Sequence, residues 1–282
     1  AFDWNASGLT TILTAALKEA IRGDERNLGV FICGGKGKTS RKTPDEIVNW
    51  GKILNLPDAK TQSLAYSSRM AAKVDSSLIQ DGYQIYHHAF FFTNPPTGGG
   101  SWAVIQQGMN TRDQTARRYH WFDKTQNSTD QNTEQRGMNF VDEPHKGITS
   151  QAMQKSVLNL VSMKSKKNRS ISEQLVNSSY NALMRDIQIL RSHSSNLSRM
   201  VSFKRKSQQY SLLELSDIPF STHPAVNEDF TKSKYLEKIL QKVTYEKPEN
   251  YESFLATEGV GPKTVRALSL VSEVIYGANP SY

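Results

Sequence analysis

Cysteine is almost absent: the 282 residues contain one, Cys33. That excludes an internal disulfide and any cysteine-based zinc knuckle, and it fits a reducing compartment, so a cytoplasmic setting is expected. No apolar run approaches the roughly 18 residues that would span a bilayer, and the first residues lack the charged-then-apolar order of a secretory signal. Membrane insertion and secretion are therefore not expected. What is present is a chain long enough for one large domain or two ordinary ones with a real core. Its 35 Lys and Arg against 27 Asp and Glu give a net charge of +8.

The charge is unevenly placed. Residues 1–150 balance at +2, residues 151–210 at +9 and residues 211–282 at −3. Acidic side chains are scarce only in the middle block, where Lys164, Lys166, Lys167 and Arg169 are followed by Arg185, Arg191, Arg199, Lys204, Arg205 and Lys206 among Ser, Asn and Gln. Such a block would release counterions from a nucleic-acid backbone. The plainer alternative is a solvated helix face with a flexible basic linker.

Hydrophobic spacing sets the expected architecture. Leu9, Ile12, Leu13, Ala16, Leu17, Ala20 and Ile21 recur at three and four residues after Ser7 and stop at Gly23, which predicts a capped helix with an ordinary core face. Leu28 to Cys33 reads as a strand, and Thr43-Pro44-Asp45-Glu46 as a helix start with a capping box. A helix is expected over Gln62 to Ala72. Tyr83 to Phe92 and Trp102 to Gln107 read as a β-hairpin, joined by the Pro/Gly-rich Thr93 to Ser101. Asp123 to Gly137 predicts a long polar loop, and helical spacing resumes after Ile148. The fold class is α+β: a mixed N-terminal half with a small sheet and β-hairpin, and an all-helical C-terminal half. The expected divisions are an α+β domain over 1–147, a basic helical region with a weakly ordered Ser-rich stretch over 148–247, and a closing pair of helices over 248–282.

That last pair carries the most specific motif. Tyr251, Phe254 and Leu255 precede Gly259-Val260-Gly261, and Pro262-Lys263-Thr264 then opens a second apolar helix through Val265, Leu268 and Val271. This resembles the helix-hairpin-helix DNA-binding motif, in which two glycines permit a tight turn and the second helix offers backbone N–H groups to a phosphate. Lys263 and Arg266 would add charge without base specificity. Thr257 and Glu258 stand where Leu and Pro are common in that motif, and an ordinary αα-hairpin is the alternative.

Cys33-Gly34-Gly35-Lys36-Gly37-Lys38-Thr39 follows a strand and precedes a helix, as a phosphate loop does, but Ile32 occupies the position of the first Walker glycine. Nucleotide hydrolysis is disfavoured. A glycine-rich nest for a nucleic-acid phosphate, with Lys36, Lys38, Arg41 and Lys42 around it, fits better, against a plain basic surface turn.

A third group surrounds the hairpin: Lys73-Val74-Asp75, Gln80-Asp81, Tyr86-His87-His88, Gln106-Gln107 and Arg117-Arg118-Tyr119-His120-Trp121. Strand alternation puts His87 with Tyr83 and Ile85, and His88 on the opposite face with Tyr86, Phe90 and Phe92. The candidate catalytic residues are Asp75, Asp81, His88, Lys73 and His120. Asp75 and Asp81 would hold a divalent metal such as Mg²⁺ or Mn²⁺, with Arg117 and Arg118 balancing phosphate charge. The alternative is a sheet whose polar residues satisfy one another.

Together with Asp3-Trp4, Trp102-Ala103-Val104-Ile105-Gln106-Gln107-Gly108-Met109 and Ile275-Tyr276-Gly277, these motifs in this order resemble the uncharacterised, mainly archaeal domain-of-unknown-function 763 family over nearly the whole chain. The resemblance implies a lineage without an assigned reaction. It also implies further sequence before Asp3 and after Tyr282. The expected function is DNA binding, extending to processing of nuclease or base-excision type. The alternative is a non-catalytic nucleic-acid-binding module for DNA or RNA.

Overall fold

In the computed structural model the described residues are 4–95, 100–123, 138–150, 152, 157–193, 203–205, 208–210 and 233–282. They form two compact units, Ala1–Val157 and Leu158–Tyr282. Most of the expected polar loop and of the Ser-rich basic stretch falls outside the described residues. No helix among the described residues is long and apolar enough to cross a membrane.

The first unit runs α1 (Trp4–Ala20), α2 (Glu25–Leu28), β1 (Val30–Lys36), a 3-10 turn (Gly37–Lys42), α3 (Thr43–Ile53), α4 (Asp58–Ser77), β2 (Ile79–Gln80), β3 (Gln84–Thr93), β4 (Trp102–Asn110), β5 (Thr115–Phe122) and β6 (Gly147–Ser150). Five strands make one antiparallel sheet in the order β1-β3-β4-β5-β6. The expected β3–β4 hairpin is its centre, with Phe90 opposite Val104 and Phe92 opposite Trp102. Aromatic side chains build the core on one face: Phe31 and Phe92 stack at 4.9 Å, Phe90 and Trp102 at 5.4 Å, and Trp50 of α3 lies 4.9 Å from Phe31. Ile47 of α3 and Leu64, Met70 and Val74 of α4 are buried as well.

Two local expectations fail for identifiable reasons. The helix at Thr43 forms without a capping box: Thr43 Oγ1 donates to the Ser40 carbonyl at 2.8 Å, and Glu46 instead accepts from Gly34 N–H at 3.0 Å and from Lys18 at 2.7 Å. A tertiary contact takes the carboxylate that the local motif would have used. A bulge between Ile85 and His87 shifts the β3–β4 register, so alternation does not carry from Tyr83 and Ile85 through to His87.

The first helix is the larger correction. Its leucine-rich stripe is not buried: Leu9, Ile12, Leu13 and Leu17 are 55, 65, 52 and 51% exposed. Thr10, Thr11 and Thr14 are buried instead. The reason lies in polarity. Arg118 donates to Thr10 Oγ1 at 3.4 Å and His87 meets Thr14 Oγ1 at 3.5 Å, so the polar face of the sheet selects hydroxyl partners over leucines.

The second unit contains β7 (Leu158–Asn159), a 3-10 turn (Met163–Ser165), α5 (Lys166–Asn177), α6 (Tyr180–His193), the two-stranded pair β8 (Phe203–Arg205) and β9 (Gln208–Tyr210), α7 (Lys234–Glu246), α8 (Tyr251–Ala256) and α9 (Pro262–Val274). It is therefore helical with short strands rather than all-helical. α5 packs against α7, α8 and α9, and α6 against α7 and α9. Leu183, Ile187, Leu240, Val243, Phe254, Leu268 and Val271 fill the interior. Asn168 pins α5 to the end of the chain by donating to Ser269 O at 2.9 Å and Ala278 O at 2.7 Å. Arg169 of the basic block is buried and donates to the carbonyls of Leu160 and Ser162, so its charge serves the fold. Lys164, Lys166, Lys167 and Arg185 remain exposed.

Candidate functional site

The glycine-rich strand end and α1 enclose a pocket of about 540 Å³ in the first unit. β1 ends through Gly34 at φ +85° and Gly35 at φ +146°, and Gly37 follows at φ +64°. At Gly34 a Cβ would lie 2.2 Å from Thr43 Oγ1 and 2.3 Å from the His88 carbonyl, so only glycine lets the strand pass there. From this turn Lys36 projects into the pocket wall, joined from α1 by Lys18 and Arg22 and from β3 by His87. Lys18 is partly committed, donating to Glu46 at 2.7 Å and to the Gly34 carbonyl at 3.2 Å. Arg22 meets Glu19 at 2.8 Å on the exposed surface. Lys36, Lys38, Arg41 and Lys42 are all exposed. Cys33 is not part of this surface: it is fully buried, and desolvation with the nearby Glu46 carboxylate pushes its thiol up to about 12.

On the opposite face of the sheet the structure gathers Asp75, Asp81 and His88 into a closed layer. Asp75 is 0% exposed and accepts from Gln106, from Trp121 Nε1 at 2.9 Å and from His145. Burial raises its pKa, and the contact with His145 opposes that rise. Asp81 accepts from the Tyr83 N–H at 3.0 Å, Arg117 at 2.5 Å and the Tyr119 hydroxyl at 2.7 Å. The Arg117 guanidinium also lies 4.6 Å from the Tyr83 ring centre. His88 is 4% exposed and shares a 2.9 Å hydrogen bond with Ser68 of α4. Burial holds its pKa down at about 4, against the opposing contact with Gln106.

Each aspartate thus meets three protein donors, and Arg117 is spent on Asp81 rather than displayed to a phosphate. Lys73 is half-buried on α4, and His120 lies on the other face of the sheet with its Nε2 buried and without a hydrogen-bond partner among the described residues. Burial first, and Arg118 second, lower the His120 pKa. No three His, Cys, Asp or Glu among the described residues are grouped to hold a metal ion.

In the second unit Gly259 (φ +89°) turns the chain between α8 and α9, and an added Cβ would sit 2.3 Å from Ile239 Cδ1 of α7. Val260 inserts into the core at 4% exposure. The carbonyls on this turn are tied back to α7, Glu258 O by Lys242 Nζ and Gly259 O by the Tyr235 hydroxyl, each at 3.2 Å. Lys242 also lies 3.5 Å from the Glu258 carboxylate, offsetting the negative charge the sequence places here. Gly261 caps α9 without a side chain and Pro262 occupies its first turn, so the N–H groups of Lys263 and Thr264 start a helix that gives them no internal acceptor. Lys263 is exposed, Arg266 half-buried and Thr264 buried at 2%.

Residues 1–282 match the family model described as "Protein of unknown function (DUF763)". The chain belongs to this family. No curated protein and no solved structure matches it.

Two residues of this DUF763 chain that matter for the geometry were not visible as such in the sequence. His145 follows Glu143-Pro144, in a segment with no periodic signal, yet it hydrogen-bonds Asp75 and packs 4.5 Å from the Trp121 ring. Thr14 sits within the apolar stretch of α1, where only its neighbours carried a periodic signal, and it is the residue that meets His87.

Proposed function

We propose that this protein binds DNA through its sugar-phosphate backbone, with α8 and α9 acting as a helix-hairpin-helix. The observation that supports this best is the turn at Thr257–Gly261. Its carbonyls are engaged by α7, its second glycine leaves the first-turn N–H groups of α9 uncapped, and exposed Lys263 stands beside them. Uncapped N–H groups at a helix start, with the helix dipole behind them, suit a phosphate oxygen, and they read no base. Exposed Lys164, Lys166, Lys167 and Arg185 supply further cations in the same unit.

Of the two expected forms of this function, the binding module is favoured over a metal-dependent nuclease built on Asp75, Asp81 and His88. A nuclease carboxylate needs lone pairs open to a metal and to substrate. Asp75 and Asp81 are 0% and 6% exposed and point their oxygens at protein donors. The test is a DNA-binding titration over several salt concentrations with Lys263→Glu. Loss of one phosphate contact lowers the slope of log affinity against log salt by about 1. Isotherms and slope equal to those of the unaltered protein would remove the hairpin from the interface. RNA of the same sequence, run in parallel, separates the DNA reading from a general nucleic-acid one.

A further inference from the structure

Four cations stand within seven residues where β1 gives way to α3: Lys36, Lys38, Arg41 and Lys42, all exposed. Other cations of the first unit are matched. Lys18 pairs with Glu46 at 2.7 Å, Arg22 with Glu19 at 2.8 Å and Arg117 with Asp81 at 2.5 Å. Among the described residues no carboxylate lies within ion-pair distance of the four. Glu46 follows four residues after Lys42, but it turns inward to Lys18 and to the Gly34 N–H at 3.0 Å. Like charges held this close repel one another and weaken the fold, and an anionic partner relieves that repulsion.

The backbone beneath these cations is fixed by its own contacts. Gly34 and Gly37 take φ of +85° and +64°. A Cβ at Gly34 would lie 2.3 Å from the His88 carbonyl, so the chain leaves the strand this way only with glycine there. A 3-10 turn follows over Gly37–Lys42. Ser40 Oγ donates to Gly37 O at 2.6 Å, and the buried Thr43 Oγ1 donates to Ser40 O at 2.8 Å. The turn is therefore ordered before a ligand arrives, which lowers the entropy cost of binding. At about 2.0 Å per residue it is roughly 12 Å long, and residues three apart eclipse, which sets Lys38 and Arg41 on one face about 6 Å apart.

The residues between the cations are Gly37, Thr39 and Ser40, so the turn offers a partner no apolar or aromatic side chain. Protein partners are held mainly by such anchors in desolvated pockets. Nucleic-acid interfaces are instead polar and cationic, and most of their hydrogen bonds go to phosphate and sugar. A length of about 12 Å of duplex carries roughly seven phosphates, more than four cations neutralise. We propose that Lys36 and the Gly37–Lys42 turn form a second contact for the sugar-phosphate backbone of duplex DNA, lying in the first unit and distinct from the α8–α9 hairpin. It rests on the DNA reading given above and adds a further set of phosphate contacts to it. Like the hairpin, the turn reads no base.

Fluorescence-anisotropy titration of the full chain with a labelled duplex, between about 50 and 200 mM salt, tests this. Lys38→Gln should lower the slope of log affinity against log salt by about 0.9, and Lys38→Gln with Arg41→Gln by about 1.8, equally on duplexes of unrelated sequence. Lys52→Gln makes the same charge change as Lys38→Gln at an exposed position near the end of α3. It lies about 14 Å along that helix from the turn, beyond the Debye length of about 10 Å, and should leave the slope unchanged. All three positions are exposed, so the variants fold. An unchanged slope in the double variant, or an equal drop in Lys52→Gln, overturns the proposal. Lys263→Glu separates the turn from the hairpin. Drops that add in the combined variant uphold both contacts, and a drop in the turn variant alone upholds the turn and removes the hairpin. A drop in Lys263→Glu alone removes the turn and leaves the hairpin standing. Absence of duplex binding at the lowest salt overturns both. A polyglutamate peptide at an equal concentration of charge should fail to displace the duplex; displacement would make the turn a site for acidic protein and overturn the DNA assignment.

Discussion

Replacing Arg117 with Met strands a buried carboxylate, and the size of the loss can be worked out in advance. Arg117 is 8% exposed, bonds Asp81 Oδ2 at 2.5 Å and covers the Tyr83 ring at 4.6 Å. Methionine keeps most of the aliphatic length but removes the charge, and removing one partner of a buried pair costs about 3–5 kcal/mol. Protonation sets a ceiling on that figure. An aspartate in the unfolded chain titrates near about 3.9, so neutralising it costs about 1.36 kcal/mol for each pH unit above that, roughly 4 kcal/mol at pH 7 and about 1.5 at pH 5. Arg117→Met should therefore lose about 3–4 kcal/mol at pH 7, and the loss relative to the unaltered protein should shrink by more than half at pH 5. Adding Asp81→Asn, whose Oδ1 can still accept from the Tyr83 N–H while its Nδ2 donates to the Tyr119 oxygen, should recover at least half of the loss at pH 7. Urea unfolding of the four proteins at both pH values measures these differences. A loss under about 1 kcal/mol at pH 7, or one that is the same at pH 5, would show that the carboxylate is not sealed as described.

Gly34→Ala should cost more than about 3 kcal/mol, since φ is +85° and the new Cβ would lie 2.3 Å from the His88 carbonyl of the paired strand; a thermal midpoint equal to that of the unaltered protein contradicts the strand geometry. Leu13→Ser should change stability by no more than about 0.5 kcal/mol, because Leu13 is 52% exposed. A loss in the range of about 2–5 kcal/mol, as for a core leucine, would mean that the apolar stripe of α1 is covered. His87 and His88 both have folded pKa values lowered to about 4 by burial, whereas an unfolded histidine titrates near about 6.5. The unfolded chain then binds more protons between those values, so stability is present above pH 6.5 and falls as pH drops towards 4, by up to about 1.4 kcal/mol per pH unit for each ring that stays neutral. A urea midpoint that is flat from pH 6.5 to 4.5 would show that both rings are charged in the folded protein.

Elements defined by local signals were legible in the sequence, and elements decided by tertiary polarity were not. The β3–β4 hairpin could be read because aromatic and β-branched runs flank a Pro/Gly segment, and strand pairing follows from that pattern. The α8–α9 turn could be read because Gly259 and Gly261 flank a core-seeking Val260. The first helix could not be read in the same way. Its leucine periodicity was genuine, but Thr10 and Thr14 have short polar side chains that fit against Arg118 and His87, a requirement set by strands about seventy to a hundred residues away. The Thr43–Glu46 box and the β3 bulge misled for a related reason: a motif fixes only what its own few residues can reach, and Glu46 reached Gly34 and Lys18 instead. The candidate site residues stand out in the sequence by chemical type. Type predicted that Asp75, Asp81 and His88 would be brought together, but it carried no information on whether the group would face a ligand or the core.

The two faces of the sheet show what makes that difference. Both carry polar side chains that cost desolvation, and both must recover it in hydrogen bonds. On the α3–α4 face the side chains are large: Trp121, Tyr119 and His145 reach the aspartates and close the space. On the α1 face the covering residues are short. Thr11, Thr14 and Ala15 line a pocket with Gly34 and Gly35, and on this face His87 Nδ1 is buried without a hydrogen-bond partner among the described residues. Buried atoms without a partner occur on both faces, His87 Nδ1 and His120 Nε2 on this one and His88 Nδ1 and Gln106 Oε1 on the other, while the pocket beside Lys36 and Lys18 lies on the α1 face. Thr14→Leu fills part of that space but removes the hydroxyl that meets His87 Nε2. The variant should therefore lose stability despite burying more apolar surface, because His87 would be left buried without a partner at either nitrogen; a urea midpoint at or above that of the unaltered protein would refute this.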